Sequence, residues 1–84
     1  MRLVSDEWTV RITRDPAVMA GRPCIRGMRV TVATVLGQLA AGRSQAEVLA
    51  DFPYLEQADI LAALAYAAWR VDELEVPLAK RAAS

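Results

Sequence analysis

The stretch that decides the fold runs from residue 57 to residue 73 and reads QADILAALAYAAWRVDE. Its apolar residues recur at the three- and four-residue spacing of a helix, and no proline or glycine interrupts them. Two apolar stripes share this predicted helix: Ile60, Ala63, Leu64, Ala67 and Val71 on one, and Leu61, Ala65 and Ala68 on the other, with Trp69 beside it. A helix that is apolar on most sides has to be covered on most sides.

The rest of the chain offers little to cover this helix. Its 84 residues make a single domain, and two short helices and a ribbon leave part of a long apolar helix bare. We therefore expect a homo-oligomer, a dimer or larger, with the helix over 57–73 in the interface. The alternative is that the alanines of this helix simply tolerate contact with water.

Two shorter helices are predicted before it. Residues 44–47, SQAE, match a capping box, in which the Ser44 hydroxyl and the Glu47 carboxylate each satisfy a free amide at a helix start. That helix ends at Pro53. The helix before it begins after Thr31, a predicted N-cap, and ends at Gly42. The predicted inward residues of these two helices are Val32, Val35, Leu36, Leu39, Ala40, Val48, Leu49 and Phe52.

The segment before the helices predicts a short β-ribbon. Residues 8–12, WTVRI, are β-branched and aromatic and predict one strand, and Cys24–Arg26 predicts the second. The fold class expected is mainly α, a homeodomain-like three-helix bundle with a short N-terminal β-ribbon. The expected domain covers 1–84, with the ribbon and an arginine turn in 8–31, the helices in 32–73 and a C-terminal tail in 74–84.

Arginine dominates the ribbon, although the net charge of the chain is zero. Residues 21–32, GRPCIRGMRVTV, contain three arginines, and their neighbours add two more. Guanidinium groups on extended backbone can contact the phosphates of a nucleic acid, and the candidate residues are Arg11, Arg22, Arg26 and Arg29. The alternative is internal pairing, for example between Arg29 and Asp51. Helix 57–73 is a poor recognition helix, because Glu56 and Asp59 at its start would repel phosphates.

The residue inventory argues against catalysis. The chain has no histidine, which removes the usual general base and the commonest zinc ligand. Its carboxylates, such as Glu47 and Asp51, fall on helices and are best interpreted as solvated surface. We expect no enzyme, no cofactor and no metal site. Cys24, the only cysteine, predicts a small buried hydrophobe and a cytoplasmic protein, and no uncharged run is long enough to cross a bilayer.

The order of residues resembles a known family. The first segment is similar to the signature I…DP…GxPxIxGTRxxV of domain-of-unknown-function family 433 (DUF433), through Ile12, Asp15-Pro16, Gly21-Arg22-Pro23, Ile25-Arg26-Gly27, Arg29, Val30 and Val32. The second is similar to its helical pattern, through Gly42, Ser44, Glu47, Asp51, Pro53, Leu55, Ile60 and residues 63–67. The sequence departs from the family at Met28, where threonine is usual, and at Glu56, where threonine or serine is frequent.

The resemblance implies a partner. Members of that family are described as small bacterial proteins with a homeodomain-like fold, many grouped with VapB-type antitoxins beside a PIN-like ribonuclease toxin. It thus implies an antitoxin that neutralises a nuclease and represses its own operon. The predicted contact residues are apolar and lie beside acids: Trp69, Leu74, Val76 and Leu78. The alternatives are a DNA-binding regulator that uses the arginines, and a structural dimer without a nucleic-acid role.

Overall fold

The computed structural model of the chain describes residues 8–74. It is mainly helical, with a small antiparallel sheet. In chain order the elements are α1 (Trp8–Arg11), β1 (Ile12–Thr13), a 3-10 turn (Met19–Gly21), β2 (Cys24–Ile25), α2 (Val32–Ala40), α3 (Gln45–Asp51) and α4 (Gln57–Leu74). The predicted contact residues Val76 and Leu78, and all but the first residue of the predicted tail, lie outside the described residues.

The strand predicted over residues 8–12 is wrong for its first four residues. Trp8–Arg11 form one helical turn, and only Ile12 and Thr13 pair with β2, with Ile12 opposite Ile25. A helical turn places Trp8 and Arg11, three positions apart, on the same side. Both side chains contact α4 there, whereas a strand would point them to opposite faces. Tertiary contacts therefore override the β-propensity of this segment.

The three predicted helices are confirmed, together with their start signals. The Thr31 hydroxyl accepts a hydrogen bond from the Thr34 amide at 3.0 Å, which caps α2. At α3 both halves of the capping box form: the Glu47 amide donates to Ser44 Oγ at 3.1 Å, and the Ser44 amide donates to Glu47 Oε1 at 2.8 Å. Those bonds from the Ser44 backbone and side chain hold the pKa of Glu47 below its usual value.

The core draws on every helix except α1 and on both strands. Its buried members are Ile12, Ile25, Val30, Val32, Val35, Val48, Leu55, Ile60, Ala62, Ala63 and Tyr66. Cys24 is buried beside them, as predicted. The predicted apolar stripes of α4 need correction, because Ile60 and Ala63 are buried whereas Leu64 and Val71 are exposed. The structure thus divides α4 into an inner face against the core and an outer face toward solvent.

Candidate functional site

A buried carboxylate organises the arginine turn. Asp59, in the first turn of α4, is 0 % exposed, so of the two acids predicted to repel phosphates at this helix start only Glu56 is exposed. Four donors surround it. Arg26 donates from Nε to Oδ1 at 3.0 Å and from Nη2 to Oδ2 at 2.8 Å, Arg11 donates from Nη1 to Oδ1 at 2.8 Å, and the Glu56 amide donates to Oδ2 at 2.9 Å. The carboxylate is thus fully occupied, which is what a buried charge requires.

The turn between β2 and α2 positions Arg26. The Met28 amide donates to the Ile25 carbonyl at 2.8 Å, and the two central residues, Arg26 and Gly27, have φ values of +46° and +73°. Positive φ at both central residues is the pattern of a type I′ turn, in which glycine fits and arginine is strained. The Arg26 amide also donates to the Arg11 carbonyl at 2.7 Å. The strained position is therefore held by bonds from both the backbone and the side chain.

The ion pairs set the protonation states of this cluster. Burial alone raises the pKa of Asp59, but the hydrogen bonds from Arg26, the Glu56 amide and Arg11 together outweigh it, so the pKa lies below its ordinary value. Hydrogen bonds to Asp59 raise the pKa of Arg11 and of Arg26. Asp59 is therefore ionised at neutral pH. It joins α1, the arginine turn and α4 and has no proton to donate.

The structure separates the four candidate nucleic-acid-binding arginines into two pairs. Arg11 and Arg26 are ion-paired with Asp59, and Arg11 also pairs with Glu56 at 2.9 Å. Arg22 and Arg29 are exposed, and neither side chain makes a hydrogen bond or ion pair with another residue of the described range 8–74, although the Arg22 amide donates to the Met19 carbonyl. Asp51, the alternative partner of Arg29, pairs with Arg43 instead. Arg22 and Arg29 are therefore the candidates that remain available to a phosphate.

An aromatic cluster lies between α1 and α4. Trp8 packs against Tyr66 edge to face and against Trp69 at a tilt, with ring centroids 5.1 Å apart in both pairs. Beside these rings is a cavity of about 170 Å³ that Arg14 and Arg70 also line. The Trp8 Nε1 donor is buried and has no acceptor among the described residues. The cavity is smaller than the ~300 Å³ at which ligand pockets begin, so its size suits a side chain better than a cofactor.

The outer face of α4 carries a second feature, which we call the outer seam: Leu61, Leu64, Ala68 and Val71. These residues are all exposed, with Leu61 at 52 % and Val71 at 65 %. Their three-four-three spacing is that of the contact positions in a coiled coil. The described part of the chain covers them only in part, so α4 presents an apolar row to solvent along most of its length.

The predicted partner-binding residues are not all on one side of α4. Trp69 is 36 % exposed and packs against α1, while Leu74 is exposed at the end of the helix. Five helical positions separate them, which corresponds to about 140° around the helix axis. A partner that contacts both residues therefore has to wrap around the C-terminal end of α4.

The role of Asp59 was not predicted from the sequence, although a signal for it exists. Asp59 lies three positions after Glu56, where a capping-box acid reaches back to the amide that precedes a helix, and its Oδ2 accepts that amide. The role of Trp8 was missed because the strand prediction gave it the wrong direction. No group of three or more His, Cys, Asp or Glu side chains within residues 8–74 is arranged to hold a metal ion.

Comparison with known proteins gives one finding. A family model described as "Protein of unknown function (DUF433)" matches residues 12–67. The chain belongs to the DUF433 family. The DUF433 match includes Arg26 and Asp59 but not Arg11 or Trp8, so one arginine of the ion-pair cluster lies outside it. No match was found among curated proteins or among solved structures. Within residues 8–74, none of the helices has the length and apolar character needed to cross a membrane.

Proposed function

We propose that this DUF433 protein is a non-enzymatic, VapB-type antitoxin-like protein that binds and neutralises a PIN-like ribonuclease toxin. The observation that carries the proposal is the combination of exposed apolar and acidic side chains at the C-terminal end of α4. There the apolar side chains of Val71 and Leu74 are exposed beside the exposed acids Asp72 and Glu73. The family resemblance supplies the class of partner.

The composition of this end suits a nuclease surface. A cleft that binds RNA is rich in positive charge, which attracts acids during encounter, while apolar side chains supply most of the binding free energy once they are buried. Trp69 adds an aromatic residue, the type that is enriched among the energetically dominant residues of interfaces. Asp59 is not suited to act as a catalytic acid or base, because arginines and a backbone amide occupy both of its oxygens.

The test is co-expression with the product of the neighbouring gene, followed by co-purification and an RNase assay. We expect the wild-type chain to co-purify with a PIN-like nuclease and to inhibit it. Leu74→Asp and Trp69→Ala are expected to weaken both effects by at least tenfold. Ala46→Asp, which adds a charge at an exposed position of α3, is the matched control and is expected to bind normally. A neighbour that is not a nuclease, or that does not co-purify, contradicts the proposal.

A second candidate function is DNA binding, with repression of the chain's own operon. It is favoured by the exposed and unpaired Arg22 and Arg29, and by an interpretation of α2, α3 and α4 as a homeodomain-like bundle in which α3 and α4 form a helix-turn-helix. Contact would come from the arginine turn, because exposed Glu56 lies directly before α4.

The salt dependence of binding tests this candidate. Each phosphate contact contributes about 0.9 to the slope of log affinity against log salt. We expect the double variant Arg22→Ala/Arg29→Ala to reduce that slope on promoter DNA by roughly 2, and Arg70→Ala to leave it unchanged. If the slope of the double variant equals that of the wild type, these arginines do not contact DNA.

A further inference from the structure

The outer seam of α4 is an exposed apolar row, and the seams of two copies of the chain can pack against each other. Leu61, Leu64, Ala68 and Val71 are exposed at three-four-three spacing, and none of the four carries a charge. We infer that α4 packs against α4 of a second copy of this chain, antiparallel, through the outer seam. Self-pairing of this kind requires no nuclease, but it uses Val71, which also belongs to the end of α4 on which the proposed function rests.

Side-chain size sets the orientation. In an antiparallel pair centred between residues 64 and 68, each Leu64 lies against Ala68 of the second copy, and each Leu61 lies against its Val71. A large side chain then faces a small one in the central layers, which lets the two helices interdigitate at the density of a protein interior. A parallel pair would place Ala68 against Ala68 and leave a gap that no residue fills.

The charges on α4 favour the same orientation. Asp72 is exposed near the C-terminal end of the helix on the side that adjoins the seam, and Gln57, the exposed residue in line with the seam at the helix start, is uncharged. The exposed acid Glu56 lies before the helix, about 100° around the axis from Gln57. Antiparallel pairing brings Asp72 of each copy close to the N-terminal end of the other helix, where the helix dipole is positive. Parallel pairing would bring the two Asp72 carboxylates together and align the two dipoles.

The other residues of the described range 8–74 leave the seam free for this contact. Most of the α4 residues that contact the core lie away from the seam: Asp59, Ala62, Ala63 and Tyr66. Buried Ile60 lies at the border between the two sides, one turn from Leu64. The aromatic contacts to α1 use Tyr66 and Trp69, which are not members of the seam. A second copy can therefore pack on the seam without displacing any described contact.

Sedimentation equilibrium of the purified chain tests the pairing. We expect the wild type to form dimers, and Leu64→Asp to weaken dimerisation by roughly 100-fold or more, because each dimer loses two buried leucines. Thr34→Asp, at an exposed position of α2, is the matched control and is expected to dimerise like the wild type. A wild-type chain that stays monomeric over the concentration series overturns the inference, even if Leu64→Asp then fails to bind a nuclease.

Disulfide trapping tests the orientation and does not depend on the folding of the aspartate variant. Leu64→Cys and Ala68→Cys are purified separately with different tags, mixed and oxidised; native Cys24 is buried and does not compete. Antiparallel pairing predicts that the mixed 64–68 disulfide forms at least tenfold faster than either disulfide between identical chains. Faster formation of the identical-chain disulfides overturns the antiparallel arrangement.

Discussion

The inner and outer faces of α4 each carry an exception to the usual distribution of polar and apolar side chains. On the inner face a carboxylate, Asp59, is fully buried, while on the outer face Leu61 and Val71 are more than half exposed. The buried acid has partners within the chain: Arg11, Arg26 and the Glu56 amide. No described residue covers the exposed parts of Leu61 and Val71.

The difference shows that burial in this protein follows the supply of partners. A charge is tolerated in the interior when every lone pair has a donor, and removing one partner is then costly. An apolar side chain needs only the apolar surface of another element to pack against. A chain this small has too little such surface to cover both faces of an 18-residue helix. Substitutions on the inner face are therefore expected to change the stability of the fold, and substitutions on the outer face are expected to change association.

The comparison is tested most severely by placing the same charge at adjacent positions of α4. Ala63→Asp puts an unpaired carboxylate at a fully buried site and is expected to lower the free energy of unfolding by more than about 4 kcal/mol. Leu64→Asp is expected to change it by less than about 1 kcal/mol in the dilute monomer. Urea denaturation followed by circular dichroism measures both, and equal losses would show that the two faces do not differ.

Removing the buried carboxylate is expected to have the next largest effect. Asp59→Ala leaves Arg11 and Arg26 without their shared partner, and we expect it to lower the free energy of unfolding by about 3 kcal/mol. Glu56→Ala is the matched control: it also removes a carboxylate from Arg11, but an exposed one, and should lower that free energy by less than about 1 kcal/mol. Similar losses for the two variants would contradict an anchoring role for Asp59.

The lowered pKa of Asp59 predicts how stability depends on pH. Because the folded-state pKa lies below the unfolded value of about 3.9, the stabilisation is complete above that value and is lost as the pH falls through the folded-state pKa. The difference in unfolding free energy between wild type and Asp59→Asn should therefore shrink from pH 7 toward pH 2. Glu47, whose pKa is also lowered, affects both chains equally and cancels. A difference that stays constant over this range would show that the Asp59 charge contributes nothing.

The helices could be predicted from the sequence because their signals are local. The capping box at Ser44, the N-cap at Thr31 and the uninterrupted run over 57–73 each lie within one element, and each is present in the structure. The helical turn of α1 could not be predicted, because it depends on the contact between Trp8 and Tyr66, which lies 58 positions later in the chain. Local propensity alone favoured a strand there.

The candidate site was harder to predict than the fold, for an electrostatic reason. Six arginines against one acid in residues 8–43 indicate a basic surface, but the sequence does not say which of them an acid elsewhere in the chain will pair with. Arg26 and Arg29 are three positions apart in the same turn, yet one is ion-paired and the other is free of partners in the described range. Arg26 has a positive φ in the turn, and its side chain reaches Asp59 in α4, a contact that the residue type alone does not predict.

The smallest effect is expected from a substitution that separates the charge of Arg26 from its two-pronged hydrogen bonding to Asp59, which we call the fork. Arg26→Lys keeps the positive charge and the backbone position, but a single ammonium cannot reproduce the Nε and Nη2 bonds to both oxygens of Asp59. We expect it to lower the free energy of unfolding in urea denaturation, by less than Asp59→Ala does, because one hydrogen bond to the buried carboxylate is lost. Arg22→Lys, the exposed counterpart in the same segment, should leave it unchanged. If both variants behave alike, charge alone holds the buried acid and the strained turn serves another purpose; if only Arg26→Lys is destabilised, the fork itself explains why an arginine occupies a position that favours glycine.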